Sequence, residues 1–164
     1  SYDFIADTEA ALARMADKEM ETMILHEVGE AMAGELLGEA WRDLTASMSN
    51  PRSEVVARAV RDLLADCLST LPGLLERADL PALHFYFATF DAPRRELFPH
   101  ALEGYEHFLR TGTLERLSQV AHEGKEHWLA VARALLALEP SARESALTAL
   151  LTEAPAYADA RSLR

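Results

Sequence analysis

The chain has 164 residues and carries 27 acidic against 16 basic side chains, so its formal net charge is −11. This charge repels nucleic-acid phosphates and anionic lipid surfaces, which argues against a nucleic-acid-binding protein. The single cysteine, Cys67, excludes an internal disulfide bond, and its apolar neighbours indicate a core residue rather than a nucleophile. The length favours one domain over residues 1–164, and the abundance of Ala and Leu favours helices.

The N-terminal quarter is predicted to be helical from about Asp7 to Met48, because no proline interrupts it. Glycines within "AMAGELLGEA" make a break into two helices plausible there. The sequence "SNP" at 49–51 supplies a capping residue and a proline for the start of the next helix. Its apolar stripe continues to Leu71, and Pro72-Gly73 is expected to end it, before a short helical piece at 74–78.

Residues 80–90, "LPALHFYFATF", predict a short buried helix because their apolar side chains recur at helical spacing. Asp91 is expected to cap a further helix that ends at Gly112. The next helix is predicted from about 114 to 138 and is terminated by Pro140. No segment approaches the roughly 18 apolar residues that a membrane-spanning helix needs.

The last helix is predicted to open with a capping box formed by Ser141 and Glu144 and to run to about Glu153. Residues 154–164 are expected to form a loosely ordered tail. These elements together predict an all-α fold, a single-domain helical bundle of five to six helices with a long N-terminal helix. Since the first residues lack the basic start and apolar middle of a signal peptide, we expect a soluble, cytoplasmic protein.

A heptad seam along the first helix contains three ionisable residues, Glu19, His26 and Glu30. Helical bundles project these residue types inward to hold two iron or manganese ions. The seam consists of Leu12, Ala16, Glu19, Met23, His26, Glu30, Ala33, Leu37, Ala40 and Leu44.

A competing apolar stripe lies on nearly the opposite side of the same helix. It is formed by Met20, Ile24, Val28, Ala31 and Met32. If this stripe faces the core, Glu19, His26 and Glu30 face solvent, and we favour that interpretation. The inward, metal-binding interpretation stays open as the alternative.

His122 and Glu126 repeat the spacing of His26 and Glu30 and complete the set of candidate metal ligands. The phase of their helix directs both side chains to solvent. A zinc protease is not supported, because the H-E-x-x-H motif needs a second histidine where this chain has Glu30 and Glu126. Gly124 falls within the apolar face of the same helix, where it would allow another helix to approach closely.

Four residues near the middle of the chain, His84, Tyr86, Phe87 and Phe90, form a candidate ligand pocket. A histidine beside aromatic side chains can contact a haem or a small ligand, although a plain core uses the same residues. We favour a structural role for His84.

The sequence contains no glycine-rich phosphate loop, nucleophile elbow or Cys-x-x-Cys pair. We therefore predict a non-catalytic binding or regulatory domain for a protein partner or a small apolar ligand. The alternative is a di-metal iron or manganese protein of oxidoreductase type, with Glu19, His26 and Glu30 among its ligands. The long heptad-bearing helix also makes a homodimer a reasonable hypothesis.

Overall fold

The computed structural model describes residues 7–152, and this part of the chain is helical apart from short connections, so the predicted all-α fold is confirmed. It contains α1 (Thr8–Ala46), α2 (Pro51–Ala65), a π-helical turn (Asp66–Thr70), α3 (Leu71–Glu76), α4 (Leu80–Ala88), α5 (Ala92–Leu97), α6 (Pro99–Thr111), α7 (Glu115–Ala137) and α8 (Pro140–Thr152). None of these helices is both long and apolar enough to cross a membrane.

The described range holds eight α-helices, more than the expected five to six, and two of the predicted helix boundaries differ from those in the structure. Pro72 lies in the first turn of α3 instead of ending a helix, since a proline at that position loses no intrahelical hydrogen bond. Phe98 has non-helical backbone angles directly before Pro99, so the single helix predicted from Asp91 to Gly112 is two, α5 and α6.

The long N-terminal helix is interrupted by a kink at Gly38, where φ is 67° and ψ is −161°. Such angles are open to glycine because it has no Cβ atom. The break therefore falls within the predicted segment, and it separates the first thirty residues of α1 from a short final part.

The core lies where α1, α2, the π turn and α7 meet, with α4 to α6 covering one end. Gly124 on α7 permits close packing, as its sequence position predicts. A Cβ atom added there would stand 2.7 Å from Sγ of Cys67 and 2.8 Å from Cζ of Phe98. Phe98 in turn meets the Trp128 ring edge to face at 5.7 Å. Cys67 is buried in this contact, as predicted for a core residue.

Glu144 holds α8 against the start of α2 instead of closing the predicted capping box. Its carboxylate accepts hydrogen bonds from the backbone N–H groups of Ser49 and Asn50, at 2.5 and 3.2 Å, and from the Ser49 hydroxyl at 2.9 Å. The S-x-x-E pattern predicts that Glu144 accepts from the backbone at the start of its own helix. It does not account for hydrogen-bond donors that distant parts of the chain bring to the same carboxylate on folding. The predicted loose tail at 154–164 lies outside the described residues.

α1 approaches α2 closely at Gly29, which faces the backbone of Ala65. A Cβ atom at residue 29 would overlap the carbonyl oxygen of Ala65 and lie 2.8 Å from its carbonyl carbon. Gly29 is therefore required for packing, although glycine lowers helix propensity. The contact lies at the end of α2, directly before the π turn.

We predict that Gly29→Ala destabilises the protein, because the added methyl group meets rigid backbone rather than a movable side chain. Overpacking of this kind costs about 1–3 kcal/mol or more in the free energy of unfolding. Gly34→Ala is the matched control, since Gly34 is helical and no heavy atom of the described residues lies within 4 Å of the place its methyl group would take. That substitution should stabilise the protein by up to about 1 kcal/mol. Urea denaturation of both variants tests the prediction, and equal effects would contradict it.

Candidate functional site

A buried carboxylate, Asp66, is the centre of a polar network that joins α1, the π turn, α4 and α5. Its side chain is 1% exposed. Oδ2 accepts hydrogen bonds from the Tyr86 hydroxyl at 2.9 Å and from Nη1 of Arg94 at 3.0 Å. Oδ1 lies 2.9 Å from Nδ1 of His26. These partners are needed because an unpaired charge is very unfavourable in a protein interior.

The π turn places Asp66 and Thr70 on the inside of the fold. The Leu71 N–H bonds to the carbonyl oxygen of Asp66, five residues earlier, which is the widened π pattern. Pro72 follows at once and has no N–H to continue the hydrogen-bond ladder. Asp66, Cys67 and Thr70 are all buried in this turn. Single π turns occur frequently at functional sites.

Arg94 is positioned next to Asp66 by the N-terminal cap of its own helix, α5. Asp91 caps α5 by accepting from the Arg94 backbone N–H, and its Oδ1 also pairs with Nε of Arg94 at 3.2 Å. The guanidinium group lies over the Phe90 ring, 5.2 Å from the ring centroid. The Arg94 side chain is therefore fixed by two carboxylates and one aromatic ring.

His26 connects the buried carboxylate to a second group of charges at the surface. While Nδ1 contacts Asp66, Nε2 lies 3.6 Å from Oε1 of Glu30. The hydrogen bond to Asp66 raises the pKa of His26, with smaller contributions from the negative charges of Asp66, Asp62 and Glu30, and desolvation partly opposes this shift. Nη2 of Arg61 pairs with Glu30 at 2.5 Å and with Asp62 at 3.2 Å.

The heptad seam predicted on α1 is divided in the structure. His26 and Glu30 are half-buried and face the domain, whereas Glu19 is exposed. The favoured expectation that all three face solvent is therefore wrong for His26 and Glu30. The competing stripe does not face the core, because Met20, Ile24, Val28, Ala31 and Met32 are all exposed.

Of the candidate metal ligands, the structure brings His26 and Glu30 together and adds Asp62. One ligand atom from each of these three residues lies within 4.8 Å of the other two. The guanidinium group of Arg61 neutralises both carboxylates, so a metal ion would have to displace it. His122 and Glu126 are exposed on α7, as the phase of that helix predicts.

The four residues of the predicted ligand pocket have separate environments. Phe87 stacks on Tyr105 with ring centroids 4.2 Å apart, and Phe90 is buried beside it. His84 is exposed, and its Nδ1 lies 2.7 Å from the Tyr105 hydroxyl, which fits the structural role favoured for it. Tyr86 does line a cleft, although the wall of this cleft is built largely from residues outside the prediction.

This cleft has a volume of about 260 Å³ and opens between α1, the π turn, α4 and α5. It is lined by Glu19, Thr22, Met23, His26, Glu27, Asp66, Thr70, Phe85, Tyr86, Thr89 and Arg94. The hydroxyl of Thr70 is buried and has no hydrogen-bond partner among the described residues. Four residues in or beside the Asp66 network, Asp66, Thr70, Tyr86 and Arg94, are therefore part of the wall of this cleft.

Sequence reasoning missed Asp66, Thr70 and Arg94. One signal was present, since Asp66 is an acidic residue inside the apolar stripe of α2, between Leu64 and Cys67. A charge at such a position is expected to have a buried partner. The identity of that partner was not accessible, because His26, Tyr86 and Arg94 are 40, 20 and 28 residues away in sequence.

The described residues form an all-α domain in which a kinked long helix packs on shorter ones around a buried carboxylate with three side-chain partners. Residues 1–155 match the family described as "Family of unknown function (DUF6866) C-terminal domain". The chain belongs to this family. Neither the curated proteins nor the solved structures gave a match to the chain.

We predict that His26 titrates above the ordinary histidine value of about 6.5 in metal-free buffer. Its pKa is raised in the folded protein, chiefly by the hydrogen bond to Asp66, so protonated His26 contributes stability. That contribution is complete below the unfolded-state pKa and is lost as the pH rises through the folded-state pKa. An NMR titration of the His26 ring signals provides the measurement. A midpoint at or below about 6.5 would contradict the assigned contact.

Proposed function

We propose that this domain is a non-catalytic protein-binding module whose long helix receives a basic amphipathic helix from a partner protein. The observation that carries the proposal is an exposed row of apolar side chains along α1. We call this row the outer apolar face; it consists of Leu12, Met20, Met23, Ile24, Val28, Met32 and Leu36, each between 39% and 61% exposed.

The outer apolar face has the geometry of a helix-packing ridge. Five of its members recur at every fourth position from Met20 to Leu36, and side chains spaced in this way form a continuous ridge on a helix. The ridge is about 24 Å long at the helical rise of about 1.5 Å per residue. Isolated exposed apolar residues need no explanation, whereas a contiguous apolar surface of this kind is typical of interaction sites.

The charge around the outer apolar face favours a basic partner over a second copy of this chain. Within the span of the face, from Leu12 to Leu36, the exposed ionisable side chains are four acids, Asp17, Glu19, Glu27 and Glu35, and one base, Arg14. Lys18 lies in the same span and is paired with Asp79 at 2.5 Å and Glu21 at 3.0 Å. Two copies would bring like charges together, whereas Lys or Arg side chains on a partner helix would pair with them.

The side chains of the face suit a helical ligand of this kind. Three of the seven are methionines, whose flexible thioether chains adapt to differently shaped partners. An amphipathic helix places apolar anchors at helical spacing along such a surface and leaves its charged residues at the edges. We further expect this binding to occur in the cytoplasm.

The prediction uses two synthetic helical peptides with the same leucine pattern, one with lysines and one with glutamates on the remaining faces. The lysine peptide should bind, measured by fluorescence anisotropy, and the glutamate peptide should not. Val28→Ser should weaken binding about tenfold, because a buried valine contributes roughly 1.5 kcal/mol. Val55→Ser on α2 is the matched control, since Val28 and Val55 are equally exposed at 48%.

Each outcome of this experiment decides between occupants of the face. Equal binding of both peptides, or equal weakening by Val55→Ser, would contradict the proposal. Analytical ultracentrifugation of the unliganded protein tests for a dimer. A mass of two chains that falls to one chain in Val28→Ser would mean that the face binds a second copy instead. Both serine variants should have nearly the same melting temperature as the parent protein, because neither valine side chain is part of the core.

The metal-binding alternative is favoured by one observation, the convergence of His26, Glu30 and Asp62. Metal-bound histidines commonly donate their second ring nitrogen to a carboxylate, and Asp66 occupies that position. These residues fit a single divalent cation such as iron or manganese held by Nε2 of His26 and two carboxylates. Arg61 is a competing cation at the same carboxylates, and for this reason we place this function second.

We predict for this alternative that Arg61→Ala raises the affinity for Mn²⁺, because it frees Glu30 and Asp62. Glu30→Ala should abolish the binding. Isothermal titration with Mn²⁺ and the accompanying rise in melting temperature provide the measurements. If neither the parent protein nor Arg61→Ala binds Mn²⁺, the alternative is eliminated while the protein-binding proposal is unaffected.

A further inference from the structure

Three of the five methionines of the chain are exposed together on the outer apolar face of α1. Met20 is 61%, Met23 is 58% and Met32 is 39% exposed. The other two methionines, Met15 and Met48, are half-buried, and Met48 packs against the core. Oxidation of a thioether to the sulfoxide requires contact between the sulfur atom and the oxidant, so exposure directs the reaction to the first three residues.

The only cysteine of the chain, Cys67, does not compete with these methionines for an oxidant. Its side chain lies in the π turn and is 2% exposed. Burial raises the pKa of the Cys67 thiol well above its ordinary value, so the reactive thiolate form is scarcely populated at neutral pH. Mild oxidation is therefore directed to thioether sulfur at the surface rather than to thiol sulfur in the core.

The exposed methionines lie at separate points of the ridge on which the proposed partner helix packs. Met20 and Met32 belong to the row that recurs at every fourth position, and Ile24 and Val28 lie between them. At the helical rise of about 1.5 Å per residue, Met20 and Met32 are about 18 Å apart along the axis. Met23 borders the same shallow groove as Met20, Ile24 and Val28. A helix that covers this row therefore contacts oxidisable side chains at both ends of it.

We propose that Met20, Met23 and Met32 form an oxidation site, and that their modification by a peroxide weakens binding of the partner helix. In this reaction the thioether sulfur attacks one peroxide oxygen, an S–O bond forms and the O–O bond breaks. The sulfur atom loses two electrons, and the peroxide is reduced by them. With hydrogen peroxide, the proton on the transferred oxygen passes to the departing hydroxide, which leaves as water.

The charge of the chain favours an uncharged oxidant at this site. Glu19 and Glu27 border the same groove as Met20 and Met23, and both are exposed. The formal net charge of the whole chain is −11. A negative field lowers the local concentration of anionic oxidants but does not repel a neutral molecule. Hydrogen peroxide and alkyl hydroperoxides are uncharged at neutral pH, so they are the chemical class that we assign to this reaction.

A sulfoxide weakens binding because its oxygen is a polar acceptor on an otherwise apolar surface. The leucine anchors of a bound helix offer no hydrogen-bond donor, so a sulfoxide that they cover is buried without a partner. One such group lowers affinity by about tenfold. This inference rests on the proposed function, since the affinity that changes is the affinity for the partner helix. The fold should be retained, because none of the three side chains is part of the core.

The test treats the parent protein with hydrogen peroxide and follows each methionine by peptide-mapping mass spectrometry. We expect Met20, Met23 and Met32 to react before the other two methionines, and Cys67 to stay unmodified. The affinity for the lysine peptide, measured by fluorescence anisotropy, should then fall at least about tenfold, while the melting temperature changes little. The two stereospecific methionine sulfoxide reductases, supplied with dithiothreitol, should restore the affinity, since each of them reduces one sulfoxide epimer.

The matched control is a triple variant, Met20→Leu, Met23→Leu and Met32→Leu, which keeps the face apolar and nearly preserves side-chain volume. This variant should bind the lysine peptide like the untreated parent protein and should keep that affinity after the same peroxide treatment. The untreated parent protein separates the two proposals. If it does not bind the lysine peptide, the proposed function fails and the effect of oxidation on binding fails with it. If it binds equally well before and after oxidation of all three methionines, only the oxidation proposal fails.

Two further results would overturn the oxidation proposal. Oxidation of Met15 and Met48 as fast as that of the three exposed methionines would mean that the outer apolar face is not a preferred site. An equal loss of affinity in the peroxide-treated triple variant would mean that the sensitive group lies elsewhere in the chain.

Discussion

The contact between Gly29 and the backbone of Ala65 is the constraint on which the polar part of this structure depends. It allows α1 and α2 to approach more closely than any side chain at residue 29 would permit. Residue 29 is followed by Glu30 and preceded, one turn earlier, by His26. Residue 65 is followed at once by Asp66. The close approach therefore brings the His26 ring to Asp66 and the Glu30 carboxylate to Arg61.

The π turn that follows Ala65 directs the next residues, Asp66, Cys67 and Thr70, into the interior of the fold. It buries Asp66 against donors from three different elements and leaves the Thr70 hydroxyl without an acceptor among the described residues. A buried charge surrounded by donors specifies one arrangement of helices, because any shift leaves the charge or one of its donors unpaired. The same residues also line the cleft between α1, the π turn, α4 and α5.

The two surfaces of α1 have different roles, one in packing and the other in the proposed binding. Gly29, Ala33, Leu37 and Trp41 face the core, while Met20, Ile24, Val28 and Met32 face outward. Because both rows are apolar, the sequence alone does not show which of them faces the core. His26 and Glu30 belong to a half-buried polar network, whereas Glu19 and Glu27 are exposed.

Much of the fold follows from local chemistry that the sequence displays. Asn50 and Asp91 cap helices because their side chains accept from the backbone two or three residues later, and Gly112 ends α6 with φ at 75°. The break at Phe98 and the π turn were missed, because both depend on how prolines are accommodated by their surroundings. A proline can open a helix or end one: Pro72 was expected to end a helix and instead lies in the first turn of α3, and the helix predicted over 91–112 took no account of Pro99.

The sequence by itself determined the helical class, the long first helix, most helix starts and the acidic balance, since these depend on spacing and composition over a few residues. Only the tertiary structure decided which face of α1 is buried, because two apolar rows with similar spacing compete and the choice depends on what packs against them. It also decided the partners of Asp66. Those partners lie at residues 26, 86 and 94, and no local pattern encodes a contact between side chains that the chain brings together only on folding.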